Sequence, residues 1–561
     1  MVSKTRFSLL LGLFALVFLL ILARLFYWQI IRGGELSVLA QKQYNFLYKA
    51  KAKRGNIYFG DKTPFVINQP GFLVYANPSK IKDKITLARS LSSIVKQDEA
   101  SISALLQNQL SWVAIAHKID QETKEKISSL QIEGLGFEDE PLRFYPEASM
   151  AGHLSGFVGS DINGDDRGYF GLEGYYDREI RGKENIIKSL IDALGRPILL
   201  GETQDKPLGS GRDLILNIDR TIQFMVENAL SRGLEKYGAK GGVVIVMDPQ
   251  TGAILAMASR PSYDQAAWQK FDEELYKNPA VAASYEPGST FKVLVMASAL
   301  NEGVVQADTV CDICDGPITI GGFTIRTWNS KYYKNTTMLE VIQHSDNTGM
   351  VFAGKKLGLE KLYSYLENFG IGRPTGIDLE DEESPGLRAK KDFGEIDLAT
   401  ASFGQGIAVT PIQMVRAVSV IANGGLLFEP QVVSLVIKEN GQEVKIAPKL
   451  ERTVISQKAA RVMTEMMVNA VDNGEAKFAK PRGYRIAGKT GTAQIPIAGH
   501  YDPNKTIASF VGFAPADQPK FVMLVKLDEP TSSPFGSETA APLFFDIARS
   551  LFTYYNIPPK E

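Results

Sequence analysis

Only two cysteines, Cys311 and Cys314, occur in 561 residues, so disulfides are not what holds this fold together. The four histidines, His117, His153, His344 and His500, are scattered, with no HExxH or paired-ligand spacing. No zinc site, other metal or cofactor is therefore expected. His344 abuts Ser345, but adjacency in sequence does not make a triad. A formal net charge of −1 gives no electrostatic reason to expect nucleic acid or any strongly charged partner. Internal repeats and long low-complexity tracts are missing, and only one long hydrophobic run occurs. What remains is a globular composition, 44% hydrophobic and 22% charged, in a chain long enough for two or three domains.

That single apolar run lies at the N-terminus. From Phe7 to Ala23 no charged residue occurs, and apolar character resumes after Arg24 through Leu25, Phe26, Tyr27 and Trp28. About 20 residues at helical rise cross the hydrocarbon core of a bilayer, so residues 7–30 read as a transmembrane anchor. Lys4 and Arg6 precede it, which favours a cytoplasmic tail over residues 1–6 and an exported remainder. A cleaved signal peptide would have a shorter apolar core and a small-x-small cleavage site. The Arg-Leu-Phe-Tyr-Trp that follows suits an anchor, with Tyr27 and Trp28 at the far interface.

Residues 32–205 form a mixed region of short alternating segments, such as Gly71–Tyr75, and polar helical stretches, such as Gln121–Leu130. Turn residues punctuate it, notably over 160–166. A second unit, 210–555, opens with a strand at Arg212–Ile218 and a helix capped by Asp219. Gly242–Met247 and Ala253–Ala258 flank the Asp248-Pro249-Gln250-Thr251-Gly252 turn, a hairpin signature. Helical patterns follow at Ser289–Leu300 and Pro411–Ala422. Two further strands, Thr506–Phe513 and Phe521–Leu527, close the unit. Strands at both ends with helices between imply an antiparallel sheet packed by helices, an α+β fold. In an exported domain, Cys311 and Cys314 could be a small-loop disulfide or two reduced thiols. A redox role needs a thioredoxin-like context that is missing.

The chemistry is carried by three motifs in order: Ser289-Thr290-Phe291-Lys292, Ser345-Asp346-Asn347 and Lys489-Thr490-Gly491-Thr492. A Ser-x-x-Lys match alone is weak, because Ser79 to Lys82 and Ser93 to Lys96 also match. Ser289 differs in following Tyr285-Glu286-Pro287-Gly288 and opening an apolar helix, where unpaired N–H groups and the dipole gather. Lys292, one turn on, is the candidate base for this nucleophile. It must be neutral part of the time, and burial plus a second positive charge, Lys489, would achieve that. Ser345-Asp346-Asn347 could merely start a helix. In a catalytic role, Ser345 would relay a proton and Asn347 would hold Lys292 and a substrate carbonyl. Lys489, Thr490 and Thr492 would bind a carboxylate, with Gly491 allowing close approach to a strand edge. The set points to acyl transfer by a penicillin-recognising enzyme.

Over nearly its whole length the chain resembles the class B penicillin-binding proteins, monofunctional peptidoglycan D,D-transpeptidases. In the N-terminal half the matching residues are Arg54-Gly55-Asn56-Ile57-Tyr58, Arg143-Phe144-Tyr145-Pro146 and Gly171–Asp177. In the C-terminal half they are Tyr285–Ser289, Phe403-Gly404-Gln405-Gly406 and Ser509–Pro515. The resemblance implies a serine transpeptidase fold over 210–555, preceded by a non-catalytic, dimerisation-type pedestal over 32–205. One departure is Phe59–Pro64, where the family usually places Asp-Arg-Asn-Gly, which puts the pedestal's local turn in question.

The resemblance further implies that Ser289 attacks the penultimate D-alanine carbonyl of a stem peptide, with Lys292 as base. The backbone N–H groups of Ser289 and Thr492 would form the oxyanion hole. Implied partners are stem peptides of glycan strands made from lipid-linked precursors, β-lactams, a membrane glycosyltransferase and other division-complex proteins. The implied place is the bacterial plasma membrane. The chain's end, soon after its last strand and helix, looks more like the septal than the elongation branch. The alternatives are an elongation-type transpeptidase and a hydrolase, either D,D-carboxypeptidase or β-lactamase-like.

Overall fold

A computed structural model describes residues 4–50, 52–108, 110, 112–162, 164–183, 185–190, 209–497 and 500–560. The start of the expected cytoplasmic tail and the expected C-terminal edge of the pedestal near residue 205 lie outside the described residues. The chain divides into two compact units, Met1–Lys53 with Gly182–Ser210, and Arg54–Arg181 with Gly211–Glu561.

The first unit holds a helix of 28 residues, Lys4–Ile31. Among the described residues it is the one helix long and apolar enough to cross a membrane, and none of its most apolar window is buried in protein. At its C-terminal end the guanidinium groups of Arg24 and Arg32 lie 5.4 and 5.7 Å from the Trp28 ring. An indole bracketed by two cations is the chemistry of a headgroup interface. A helix, Gly33–Tyr44, and an antiparallel pair, Asn45–Ala50 with Asn185–Leu190, complete this unit.

The second unit is organised around a five-stranded antiparallel sheet. Its strands are β1 (Gly241–Met247), β2 (Ile254–Arg260), β3 (Ala487–Ile497), β4 (His500–Ala514) and β5 (Phe521–Asp528), in the spatial order β2-β1-β5-β4-β3. The apolar run Val243–Met247 is explained by cover on both faces. Val243, Ile245 and Met247 enter one core with Val522, Leu524, Val511 and Phe513. Val244 and Val246 enter the other with Met523, Val525 and Phe510.

The second core is closed by α1 (Arg220–Tyr237) and α7 (Ala540–Tyr554). The first is closed by α2 (Lys292–Asn301), α3 (Met338–Gln343), α4 (Asn347–Leu357), α5 (Pro411–Ala422) and α6 (Gln457–Asn473). Helices therefore pack both faces of the sheet. Asp219 caps α1, accepting from the Thr221 and Ile222 N–H groups, as its sequence position implies. Helix α5 is wholly buried, so its near-continuous apolarity is core chemistry.

The N-terminal part of this unit is stitched to the rest by a six-stranded sheet. Its order runs Glu443–Lys445, Val433–Ile437, Asp213–Leu216, Ile57–Tyr58, Pro64–Gln69, Leu142–Phe144. A separate three-stranded sheet, Val113–Ile119, Phe72–Ala76 and Leu135–Asp139, carries its own small core. The unusual segment Phe59–Pro64 still closes a turn. Asp61 replaces backbone chemistry by accepting from both the N–H and the hydroxyl of Thr63, and Phe59 N–H donates to the Thr63 carbonyl.

The widely spaced N-terminal motifs meet at one ionic knot. Arg54 donates to Glu173 at 2.7 Å and Asp177 at 2.8 Å, while Arg143 donates to Glu173 at 2.6 Å. Glu173 is 0% exposed. Burial pushes its carboxyl up, but Arg143 and Arg54 outweigh that and the net shift is downward. The sign follows directly. A carboxylate with a folded value below its ordinary 4.5 stabilises the fold above that pH, and the contribution is lost as pH falls towards the folded value. Glu173→Gln leaves two arginines in a buried site and should lower unfolding free energy by about 3–5 kcal/mol, read from urea midpoints at neutral pH. Below about pH 4 the gap between variant and wild type should narrow.

Tyr176 and Glu380 continue the stitching. The Tyr176 hydroxyl donates to Asp378 at 2.9 Å, whose carboxylate also accepts from the Val432 and Val433 N–H groups. Cys311 and Cys314 are joined in a disulfide, which settles what spacing alone left open.

Candidate active site

Ser289 stands on a single 3₁₀ turn, Gly288–Phe291, that leads into α2. The segment before it is pinned from both sides. Tyr285 and Val409 exchange two backbone hydrogen bonds of 2.9 Å, and Gly288 N–H donates to Gly404 O at 3.0 Å. Gly406 N–H donates to the Glu286 carboxylate at 3.1 Å. Gly404 has φ +82, and a Cβ there would lie 2.1 Å from the Gly288 carbonyl oxygen. Only glycine fits so close to the turn that carries the serine. This is the physical content of Phe403-Gly404-Gln405-Gly406.

Lys292 heads α2 and is 0% exposed. Its amine reaches Ser345 O at 2.6 Å, Asn347 Oδ1 at 2.7 Å and Ser345 Oγ at 3.3 Å. Two of these are acceptor-only oxygens and the third is a hydroxyl that can itself donate. A neutral amine has two N–H donors and one lone pair, which matches that set. Burial drives the Lys292 amine down most, Lys489 drives it further, and Asp346 and Glu475 pull it back only partly. The net result is well below its ordinary 10.5. The second positive charge anticipated for this purpose is present, and it is Lys489. Among the described residues Ser289 Oγ takes no hydrogen bond from Lys292, whose partners are Ser345 and Asn347.

The two readings of Ser345-Asp346-Asn347 are one structure. Asp346 is the N-cap of α4, accepting from Thr348 N–H at 2.7 Å and Gly349 N–H at 3.1 Å. That cap turns Ser345 and Asn347 towards Lys292. Ser345 adopts φ +57, a left-handed conformation that costs a serine on the order of 1–2 kcal/mol. It persists because the cap and the lysine fix both sides. The Asn347 amide nitrogen donates to Arg326 O at 2.8 Å, which orients its oxygen onto the lysine.

Lys489, Thr490, Gly491 and Thr492 lie on β3, the edge strand, against which the Ser289 turn packs. The Cβ position of Gly288 is 3.1 Å from Thr492 O, so serine and strand edge are neighbours. Lys489 is buried, and among the described residues its amine has only long contacts, to Thr490 O at 3.4 Å and Oγ1 at 3.2 Å. Burial lowers it and Glu475 raises it, with the balance near 8. Thr492 Oγ1 accepts from Gly536 N–H at 3.0 Å, leaving its proton free to donate.

The reason for Gly491 differs from the expected one. A Cβ there would meet Ser509 Oγ at 2.4 Å, Thr290 Cγ2 at 2.8 Å and Pro287 O at 3.2 Å. The protein itself fills that space, so the glycine lets the strand press on the serine's turn. Gly491→Ala should cost about 1–3 kcal/mol in stability and slow acylation about 10- to 100-fold by displacing the turn. Thermal melting and penicillin-labelling rates measure the two.

Sequence reading missed Glu475, in the turn after α6, and Trp328. The Trp328 indole N–H donates to His344 O at 3.4 Å, and Glu475 is one of the two carboxylates that act on Lys292. Neither lies in a motif, and Asn473-Gly474-Glu475 reads only as a turn.

A buried lysine held by Ser345 and Asn347, next to a serine-bearing turn that packs on a strand edge carrying a second lysine, is an arrangement suited to serine acyl transfer. A family model described as the penicillin binding protein transpeptidase domain matches residues 242–549. One for the penicillin-binding protein dimerisation domain matches 49–216. The chain belongs to the penicillin-binding protein transpeptidases, in their class B arrangement. It is similar to Stage V sporulation protein D of Bacillus subtilis (strain 168), 34% identical over 566 residues covering 100% of this chain and 87% of that one. Peptidoglycan D,D-transpeptidase FtsI of Escherichia coli (strain K12) is 29% identical over 569 residues, 99% and 92% of the two chains. A peptidoglycan synthetase from Bifidobacterium adolescentis superposes with TM-score 0.75 at 26% identity, over 92% and 98% of the chains.

Proposed function

We propose that this chain is a membrane-anchored peptidoglycan D,D-transpeptidase of septal wall synthesis, with Ser289 as nucleophile and Lys292 as general base. The observation that carries the reading is the buried Lys292 amine, bonded to Ser345 and Asn347 and depressed by Lys489. Ser289 Oγ attacks the penultimate D-alanine carbonyl while its proton passes to Lys292, directly or through the Ser345 hydroxyl. The N–H groups of Ser289 and Thr492 hold the oxyanion. Collapse expels the terminal D-alanine, whose amine takes the proton. The amine of a second stem then attacks the acyl-serine, the new amide forms, and Ser289 recovers its proton.

Lys489, Thr490 and Thr492 bind the terminal carboxylate in this scheme, and Gly491 keeps the strand against the serine's turn. A β-lactam carrying the same carboxylate acylates Ser289 and stays. Residues 7–30 anchor the chain with residues 1–6 in the cytoplasm. Residues 32–205 are the pedestal and 210–555 the catalytic domain, outside the membrane.

The test supplies a stem pentapeptide donor with and without an acceptor amine. Release of D-alanine with a cross-linked dimer supports the proposal, whereas hydrolysed tetrapeptide alone in the presence of acceptor identifies a carboxypeptidase. Rapid loss of a penicillin label identifies a β-lactamase. A second reading, favoured by the 34% identity to a sporulation protein, is a transpeptidase dedicated to sporulation. Depletion separates them: filaments of undivided cells in growth support the septal role, and normal growth with defective spores supports the other.

A further inference from the structure

One face of the three-stranded sheet in the N-terminal part is packed by helices. Phe72, Val74, Ala76 and Ile115 enter the small core beneath Lys84–Val95, Glu99–Leu106 and Gln121–Ser128. Tyr75, on the central strand, alternates onto the opposite face. Its cross-strand neighbours there are the two smallest side chains, Ala114 on one side and Gly136 on the other. A Cβ on Gly136 would lie 2.3 Å from Tyr75 Cζ. The tyrosine ring therefore lies flat across that strand, in the space the glycine leaves.

Trp112 stands just before Val113–Ile119, two residues from Ala114 and so on the same face. Its indole stacks over the Tyr75 ring, with centroids 6.0 Å apart and planes 25° from parallel. The indole N–H reaches the far strand and donates to Glu138 Oε1 at 3.2 Å. The Trp112 ring thus spans the sheet, held by Tyr75 beneath it and by Glu138 at its edge. Trp112 is 44% exposed, and with one π-face on Tyr75 the other is turned to solvent. Among the described residues no hydrogen bond or ion pair ends on the second oxygen of Glu138, which is free to accept.

We propose that this platform binds the sugar rings of a glycan strand, with the C–H face of an N-acetylated amino-sugar pyranose stacked on the open face of Trp112. The inference rests on the transpeptidase reading above, in which the reacting stem peptide arrives attached to such a strand. A pyranose has an apolar C–H face that suits a flat indole, and its rim carries hydroxyl and amide donors for the free oxygen of Glu138. A membrane surface fits poorly, because anionic headgroups would meet that carboxylate. A protein partner calls for a wider apolar surface, whereas Ala114, Gly136 and Glu138 leave a single ring standing out. Fixing the indole in advance removes most of the ordering cost of binding.

The experiment measures co-sedimentation of the full chain, in detergent and already acylated by benzylpenicillin, with purified insoluble peptidoglycan. Prior acylation closes the Ser289 site, so retention reads contacts elsewhere. Trp112→Ala should weaken retention about tenfold, and Trp112→Phe should keep part of it. Glu138→Gln should weaken it about threefold. A soluble β-1,4-linked hexamer of N-acetylglucosamine should release the bound wild type. Benzylpenicillin should acylate all three variants at the wild-type rate, which shows that each has folded. Wild-type retention in Trp112→Ala, or a hexamer that does not compete, overturns the proposal. Wild-type retention together with loss of a co-purifying protein overturns it in favour of a protein-docking surface. If Trp112→Ala does not fold, reduced retention in Glu138→Gln supports the proposal and wild-type retention overturns it. Penicillin labelling that persists in Ser289→Ala, with retention still dependent on Trp112, defeats the transpeptidase reading and leaves the sugar site standing.

Discussion

Ser289→Ala should abolish covalent labelling by penicillin, a fall on the order of 10⁴- to 10⁶-fold in acylation. The magnitude follows from chemistry, because alanine has no atom on which an acyl-enzyme can form. The fold should hardly notice. Among the described residues no hydrogen bond ends on Ser289 Oγ, so its removal orphans no partner, and the change in stability should stay within about 0.5 kcal/mol. Fluorescent-penicillin gels with a parallel thermal melt read both quantities.

Ser79→Ala and Ser93→Ala are the matched controls and should label as wild type does. Ser79 Oγ donates to Asn77 Oδ1 in an exposed turn, and Ser93 Oγ donates back to Ser90 O on its own helix. Lys96 adopts φ +55 beyond the end of that helix. Neither serine has a buried amine beside it. Labelling that survives in Ser289→Ala would remove the nucleophile assignment.

The second large effect belongs to Lys292→Met, which keeps length and removes the base. Acylation should fall about 10²- to 10⁴-fold, the usual worth of a positioned general base. Stability should change far less. Methionine removes an amine that burial already penalises, while leaving Ser345 O and Asn347 Oδ1 without their donor. The two effects oppose each other, and the net change should lie within about 2 kcal/mol. Loss of acylation with an unchanged melt would mark Lys292 as chemical. A proportional collapse of both would make it a structural lysine and sink the base assignment.

Much of the fold was legible because its signals are local. The hairpin of β1 and β2 announces itself as two apolar runs around Asp248-Pro249-Gln250-Thr251-Gly252, and Asp219 and Pro411 mark helix starts by capping and N1 chemistry. The pedestal motifs were legible as resemblance only. Why Arg54, Arg143 and Glu173 belong together is written in a buried ionic knot whose members, Asp177 included, are as many as 123 positions apart. Helix cover on both sheet faces was equally hidden, because the α1 and α7 partners lie at opposite ends of the unit.

For the site, sequence alone determined which residue types are present and in what order: a serine after Pro-Gly at a helix start, a lysine three on, then Ser-Asp-Asn and Lys-Thr-Gly-Thr. Those are contiguous motifs, and short-range geometry places their members side by side. Tertiary structure alone decided how they act on one another. It turned the Lys292 amine to Ser345 and Asn347, and placed the charge of Lys489 near enough to help keep that amine neutral. It gave Gly491 a packing reason in place of a substrate one. It also brought in Glu475, a turn residue with no motif around it. A charge's effect depends on distance and burial, and neither quantity is set until segments far apart in the chain have packed together.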